Sequence, residues 1–400
     1  MSKRIIGVYI LITLLMDSLI GLHATVYVLF LRAGGLDLLQ ISLVNFFFMA
    51  AVFLLEIPTG AIADLYGRKR SLVISNLVFA IGFFWYSISH SFWAFVLAEI
   101  IIALGVTTTS GAFRAWVVDS LHHINWKGDL VKLFRWEGRA NKLAALLGGL
   151  IGASLGVHGL NIPFRLAGVG FLLIAVLAQL IMREKYFQPS RDKIGRIIPN
   201  IKQIAKDSIQ YGLKHQVVFL ILVSMAVLNF SFQPINMYWA LQFNDYFPTT
   251  QGLGVVWSGI VIFSLLGNEL VVWFKKVFPR IKVGYCVIGY SIAFFMLLSV
   301  LSPVWQLSLL VYWLHEIPRG LINPFQAAAL QSAIPSQTRA TIESFVSMVS
   351  KGAAGLGLIL FGLIGNVFGI GVSWVVSSLI IIIVLPLALV FNGKTKIKTV

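Results

Sequence analysis

The sequence has little cysteine and little charge, and both shortages limit what the protein can do. Cys286 is the only cysteine, so the chain cannot form an internal disulfide or a cysteine-based zinc cluster. Charged residues make up 12% of the 400 residues, roughly half the share in soluble domains. The nucleotide-binding pattern G-x-x-x-x-G-K-[ST] does not occur, and the adjacent His122 and His123 would diverge on a helix. The sequence thus predicts no enzymatic activity, no metal and no cofactor.

Long hydrophobic runs are what the sequence has in abundance. Hydrophobic residues make up 58% of the chain, and the mean hydropathy is +0.89. The runs reach the roughly 20 residues that a helix needs to cross a bilayer, and they are continuous rather than alternating, which favours helices over a barrel. We therefore predict an all-α integral membrane protein with twelve transmembrane helices. The predicted segments are residues 5–31, 40–63, 71–89, 92–118, 140–158, 161–182, 216–240, 252–274, 283–301, 304–332, 341–366 and 368–391.

The distribution of positive charge predicts the orientation. If both termini are cytoplasmic, 27 of the 31 Lys and Arg lie on the inner side, with Arg114 and Lys142 at the inner ends of predicted segments and the rest in inner loops and tails. The exceptions are Arg32, Arg165, Arg319 and Lys351. This is the positive-inside pattern, so we expect a multi-pass protein of the cytoplasmic (inner) membrane with both termini in the cytoplasm. It also accounts for the net charge of +16. Nucleic acid is not an expected partner, because the loops are too short to carry base-reading elements.

The chain divides into two similar halves. We predict a six-helix bundle over residues 1–182, a cytoplasmic linker over 183–215, and a second six-helix bundle with a basic tail over 216–400. Isoleucines recur at helical spacing in the linker opposite lysines and arginines, which predicts an amphipathic helix on the membrane surface. The fifth and eleventh segments are both glycine-rich, and small residues let helices approach closely.

Residues 60–70, GAIADLYGRKR, interrupt the apolar sequence with an aspartate, a glycine and three cations. The spacing of Gly60, Asp64, Gly67, Arg68 and Lys69 resembles the loop between helices 2 and 3 of the major facilitator superfamily (MFS) of transporters. With the preceding E-I-P-T, the stretch is similar to a group of prokaryotic MFS permeases. The resemblance covers essentially the whole chain through its topology and 6+6 division. It implies two pseudo-symmetric bundles that rock about a site at mid-membrane.

The resemblance also implies a latch at the cytoplasmic gate. In MFS proteins the loop arginine pairs with an acid at the end of helix 4, which here gives Arg68 and Asp119. The loop aspartate meets the N-terminus of helix 11, where the helix dipole favours an anion, which gives Asp64 and residues near Arg339. These contacts would hold the gate closed, and opening would break them.

A second acid and base lie near this loop. Glu56 stands two helical turns before Asp64, and Arg114 stands a similar distance before Asp119. The matching depths predict a Glu56–Arg114 pair, which would be either structural or part of the cytoplasmic mouth.

Ionisable residues within the spans are candidates for function because burying them in lipid is costly. Asp17 lies midway along the first segment, which lines the central cavity in MFS proteins. It is a candidate for proton coupling or substrate contact, or for a structural hydrogen bond. Glu99 and Glu316 are further coupling candidates. The alternative for Glu99 is a hydrogen-bonded acid near the outer side, and for Glu316 an internal pair with Arg319 at i+3.

Other polar residues are candidates to line a substrate cavity. Arg319 and Lys351 lie deep in their segments, and either could bind an anion. His315 is either a cavity residue or a satisfied polar residue of the core. The seventh segment contains a proline, Pro234, that predicts a kink, and hydrogen-bonding groups surround it. Those groups are Asn229, Gln233, Asn236 and Tyr238.

These features together predict a secondary active transporter that works by alternating access. The first choice is proton-coupled export of a small organic or amphipathic compound by a monomer, with protons as the coupling ion. An alternative is transport of an organic anion with the help of Arg319 and Lys351. An alternative of another class is a membrane receptor or assembly subunit that kept the fold without transport.

Overall fold

A computed structural model describes residues 1–109, 111–184, 215–333 and 336–390 of the chain. For residues 57, 58, 60–66, 331–333, 336–341, 344 and 388–390 it describes the backbone only. The predicted amphipathic helix of the linker therefore lies outside the described residues, and so does the basic tail.

The described part of the chain contains fifteen α-helices and no strand. The N-terminal helices are α1 (Ser2–Ala24), α2 (Tyr27–Ala33), α3 (Leu38–Tyr66), α4 (Arg68–Ile88), α5 (Phe92–Thr109), α6 (Ala112–His123), α7 (Leu130–Gly156) and α8 (Ile162–Ile181). The remaining helices are α9 (Gln216–Ser231), α10 (Gln233–Asn244), α11 (Gln251–Val277), α12 (Ile281–Leu301), α13 (Trp305–Ala333), α14 (Ser336–Phe368) and α15 (Ile370–Val390).

The twelve predicted segments are confirmed, and three of them are each broken into two helices. The breaks separate α1 from α2, α5 from α6 and α9 from α10. Gly111 follows α5 with a φ of 71°, a left-handed conformation that glycine adopts without strain. Pro234 stands in the first turn of α10, where its missing N–H costs no helical hydrogen bond. The predicted kink at Pro234 is thus a full interruption of the helix.

Ten helical segments of the described part are long and apolar enough to cross a membrane. Two other long helices, α7 and α13, are less apolar. Helix α7 carries five charged residues in its first half, and α13 contains two prolines together with Glu316 and Arg319 near its centre. The sequence predicted the fifth span to begin near residue 140, but α7 begins at Leu130. Charged residues occupy the first half of α7, and their density made this half look like a cytoplasmic loop in the sequence.

Two compact units make up the chain. The first contains residues 1–36, 47–194 and 247–258, and the second contains 37–46, 195–246 and 259–400. Each unit includes a short segment from the other half of the sequence, residues 247–258 in the first unit and 37–46 in the second.

The same helix pairings occur inside each unit. In the first, α1 packs on α7, and α4 packs on both α5 and α8. In the second, α9 packs on α14, and α12 packs on both α13 and α15. Because segments 1, 3, 4, 5 and 6 correspond in order to 7, 9, 10, 11 and 12, this repetition agrees with an internal duplication.

Glycines allow the closest of these pairings. A side chain at Gly152 of α7 would collide with the backbone oxygen of Leu22 on α1. At the equivalent pairing in the second unit, a side chain at Gly357 of α14 would collide with the backbone oxygen of Phe230 on α9. The glycine-rich fifth and eleventh segments thus pack backbone against backbone inside their own units.

Candidate functional site

The first unit contains a polar cluster on α1, α6 and α7, here called the N-terminal cluster: Tyr9, Asp17, Arg114, Glu137 and Asn141. Asp17 is half-buried in the middle of α1. In the orientation that satisfies both its amide atoms, Asn141 donates to Asp17 Oδ2 at 2.9 Å and to the backbone oxygen of Glu137 at 2.8 Å. Asp17 forms no ion pair with any residue that the structure describes. Its one hydrogen-bond partner there is neutral.

Glu137 is the second carboxylate of the N-terminal cluster. It is 6% exposed, and its Oε1 accepts a hydrogen bond from Arg114 Nε at 3.0 Å. Its Oε2 is buried and accepts no hydrogen bond from the described residues. The charge of Glu137 acts on Asp17 and on the hydroxyl of Tyr9, so the cluster is electrostatically connected.

Arg114 has a different partner from the one that the sequence predicted. The expected partner was Glu56, but the guanidinium binds the carboxylate of Glu137 on α7. Glu56 lies exposed on α3. Two residues at the same depth on two helices do not necessarily face each other. Arg114 lies on the side of α6 that faces α7.

The predicted contact between Arg68 and Asp119 joins the start of α4, just after the turn from α3, to α6. Gly67 has a φ of 94°, so the motif glycine adopts a conformation that other residues avoid. Arg68 Nε lies 4.0 Å from Asp119 Oδ2, which is a loose ion pair. Both residues belong to the first unit, so this contact joins α4 to α6 within one bundle.

An unpredicted carboxylate completes this turn. Glu184, just after α8, accepts the backbone N–H of Arg68 at 2.7 Å and that of Lys69 at 2.9 Å. These N–H groups have no partner within α4, and the positive end of the helix dipole favours a carboxylate there. The start of α4 is therefore held by α6 and by the segment after α8. The structure does not describe the side chains of Asp64 and Arg339, so their predicted roles stay predictions. The predicted role of Gly60 in the motif also stays a prediction.

We expect Asp119→Ala to lower the transport rate without abolishing it. Both partners are partly exposed, at 25% for Arg68 and 43% for Asp119, and exposed pairs contribute about 0.2–1 kcal/mol, or at most roughly fivefold in a population. Initial transport rates in proteoliposomes measure the effect. The exchange Arg68→Asp with Asp119→Arg should recover part of the loss, whereas Arg70→Ala, an exposed cation of the same turn, should leave the rate unchanged. An exchange variant as slow as Arg68→Asp alone would refute a direct pair.

The second unit contains its own polar cluster, here called the C-terminal cluster: Asn236, His315, Glu316 and Arg319. Arg319 donates to Glu316 Oε1 at 2.5 Å and to Asn236 Oδ1 at 2.6 Å. Its guanidinium lies 5.1 Å from the ring centre of Phe232. His315 is fully buried and contacts the backbone oxygen of Tyr312. Glu316 and Arg319 thus form the internal pair that the sequence offered as one alternative.

The remaining predicted cavity residues of the seventh segment mostly bond to the protein itself. Asn229 donates to the backbone oxygen of Met225 at 2.8 Å, and Gln233 donates to that of Asn229 at 2.7 Å. Tyr238 is fully buried, and its hydroxyl lies 2.6 Å from Ser42 Oγ. These groups support the interrupted helix, and Asn236 alone reaches a charged group.

Glu99 is a hydrogen-bonded acid in the first unit. It is 6% exposed, and its Oε1 accepts from Tyr27 at 2.6 Å and from Tyr86 at 3.4 Å. This geometry matches the structural alternative. Lys351 is half-buried on α14 in the second unit.

Comparison with known proteins identifies the family. A model of the Major Facilitator Superfamily matches residues 9–313. The chain belongs to the major facilitator superfamily. It is 22% identical over 369 residues to the uncharacterized MFS-type transporter YxaM of Bacillus subtilis, with 91% of this chain and 90% of that one covered. It is also 22% identical over 351 residues to the class H tetracycline resistance protein of Pasteurella multocida, with 85% and 84% covered.

The MFS fold is also evident in the comparison with solved structures. The nucleoside transporter NupG matches with a TM-score of 0.80 at 16% identity, over 98% of this chain and 100% of that one. A bacterial homologue of the lysosomal transporter Spinster matches with a TM-score of 0.73 at 15% identity, over 98% and 97%. At such identities the likeness concerns the fold alone.

One short stretch of this MFS chain also matches a sequence pattern found in hydrolases. Residues 152–156, GASLG, match the G-x-S-x-G pattern of hydrolases. That chemistry requires a sharp strand-to-helix turn that exposes the serine. Ser154 instead lies inside α7, where its hydroxyl donates to the backbone oxygen of Leu150 at 3.0 Å. The match therefore carries no catalytic meaning.

Proposed function

We propose that this MFS transporter exports a small organic or amphipathic compound in exchange for protons. The relative named a tetracycline resistance protein supports export. Support for a proton as the coupling ion comes from the N-terminal cluster, where a half-buried carboxylate has a neutral hydrogen-bond partner.

The observation that carries the proposal is the environment of Asp17, whose hydrogen-bond partner in the described part is the amide of Asn141. Because its partner in the described part is an amide, Asp17 can gain or lose a proton without breaking an ion pair. Glu316 differs, since losing its charge would leave Arg319 without its carboxylate. The charge of Glu137 acts on Asp17 as well, and a negative charge nearby favours the protonated form of Asp17.

Export of an organic anion through Arg319 finds less support. Glu316 and Asn236 already accept hydrogen bonds from the guanidinium, so an anionic substrate would have to compete with a carboxylate at 2.5 Å.

The proposal also covers the membrane in which the protein lies and its oligomeric state. We infer a prokaryotic cytoplasmic membrane with both termini inside, from the distribution of cations. We also infer a functional monomer, because one chain contains all the residues assigned to coupling and gating.

Reconstitution in proteoliposomes tests the function. Vesicles with an acidic interior should accumulate a transported compound, because protons leave as the compound enters through transporters of the matching orientation. A panel of small organic and amphipathic compounds, tetracycline included, would be compared with and without the pH gradient. Protein-free vesicles control for passive partitioning of the neutral or charged compound. Equal accumulation of every transported compound at equal and unequal pH would contradict proton coupling.

A further inference from the structure

A large groove lies between α1 and α7 on the first unit, separate from the polar cluster. Its volume is about 840 Å³, within the roughly 300–1,000 Å³ typical of ligand sites. Ile6, Ile10 and Leu14 form one wall from α1, and Leu143 belongs to the opposite wall from α7. The turn before α7 closes one end of the groove with Trp126.

The groove has a polar end and an apolar end. Helices α1 and α7 run in the same direction, because Gly21 of α1 faces Gly148 of α7, and Leu22 faces Gly152. The starts of both helices therefore lie at one end of the groove. Lys132 stands in the first turn of α7 at that end. Arg139 lies two turns further along, and Leu143 lies one turn beyond Arg139.

Two cations of the groove are available to an anion. Lys132 and Arg139 are exposed and form no ion pair with any residue of the described ranges. The nearest acid in the lining, Asp129, is engaged as a helix cap and accepts the backbone N–H of Val131 at 2.7 Å. Arg139 lies over the ring of Trp136, 5.6 Å from its centre, which steadies the guanidinium.

The order of these groups matches one kind of molecule. We propose that the groove binds an anionic phospholipid, with its phosphate at Lys132 and Arg139 and an acyl chain along Ile10, Leu14 and Leu143. Tryptophans such as Trp126 favour the level of lipid headgroups, and basic pockets between transmembrane helices bind acidic headgroups. A soluble anion would leave the aliphatic wall uncovered, whereas a phospholipid uses both ends of the groove.

Native mass spectrometry of the purified protein with phosphatidylglycerol and phosphatidylcholine tests this proposal. The variant Lys132→Gln/Arg139→Gln should bind phosphatidylglycerol roughly tenfold or more weakly, since each cation near an anionic headgroup contributes about fivefold. Its binding of phosphatidylcholine should not change.

The control is Lys127→Gln/Arg135→Gln, which removes the same charge from exposed positions beside the groove. It should keep phosphatidylglycerol binding within about twofold of the unmodified protein. An equal loss in both double variants would assign the effect to general surface charge and overturn the site. Unchanged binding in Lys132→Gln/Arg139→Gln would overturn it too, as would release of the bound lipid by inorganic phosphate alone.

Discussion

Asp17→Asn should lose the accumulation driven by a pH gradient and keep the exchange of substrate across the membrane. Asparagine has nearly the shape of aspartate and can still bond to Asn141, but it cannot carry a proton. Exchange needs only alternation of the loaded transporter, whereas accumulation needs release of a proton on each cycle. The expected result is accumulation equal to that without a gradient, together with exchange close to that of the unmodified protein.

Two companion variants make the Asp17 result specific. Glu99→Gln removes another buried carboxylate of the same unit, and its hydrogen bonds come from tyrosine hydroxyls that can still donate to an amide oxygen. We expect it to keep gradient-driven accumulation. Asp17→Glu restores an acid one methylene longer and should recover part of the coupling. Full accumulation by Asp17→Asn would exclude Asp17 as the proton carrier.

Most of the fold was predictable because lipid allows so few solutions. Each backbone polar group needs a partner inside the bilayer, so a long apolar run implies a helix and its length implies a crossing. The interruption at Pro234 was also predictable in kind, since proline lacks the N–H that helix continuation requires. The break before α6 depends on the conformation of Gly111, which composition alone does not reveal.

The second carboxylate of the N-terminal cluster was missed for an identifiable reason. Glu137 lies among exposed cations in the first half of α7, a stretch that looks like a loop by charge. Helical spacing distinguishes it, because Glu137 shares the period of the buried positions Leu133, Ala140 and Ala144. An acid on the apolar face of an otherwise basic helix is the signal that identifies a buried partner for Arg114.

The Arg68–Asp119 pair and the Arg114–Glu137 pair show what sequence can and cannot settle. Arg68 lies in a motif, and the family resemblance supplied Asp119 at the end of helix 4 as its partner. The distance of 4.0 Å agrees with that pairing. The motif of residues 60–70 does not include Arg114, and its depth along the helix suggested Glu56 as the partner. Only the packing of α6 on its neighbours decides that Glu137 is the one in contact.

Removing the arginine of the Arg114–Glu137 pair should destabilise the protein far more than neutralising the glutamate. The Glu137 side chain is 8% exposed and that of Arg114 is 63% exposed. Arg114→Met keeps most of the side-chain stem but leaves a buried carboxylate without its donor, which costs about 1–3 kcal/mol. Glu137→Gln leaves an arginine that solvent can reach and an amide oxygen that still accepts from it, so the cost should be below about 1 kcal/mol.

The order of melting temperatures in detergent measures this asymmetry. Arg114→Met should melt lowest, and adding Glu137→Gln to it should raise the melting temperature again, because the double variant no longer buries an unpaired charge. Arg135→Met, an exposed cation on α7, should melt like the unmodified protein. If Glu137→Gln lowered the melting temperature as much as Arg114→Met, or failed to rescue it, the buried charge would not be the source of the instability. The double variant also tests the coupling role, because it removes the negative charge that acts on Asp17 while the fold is retained.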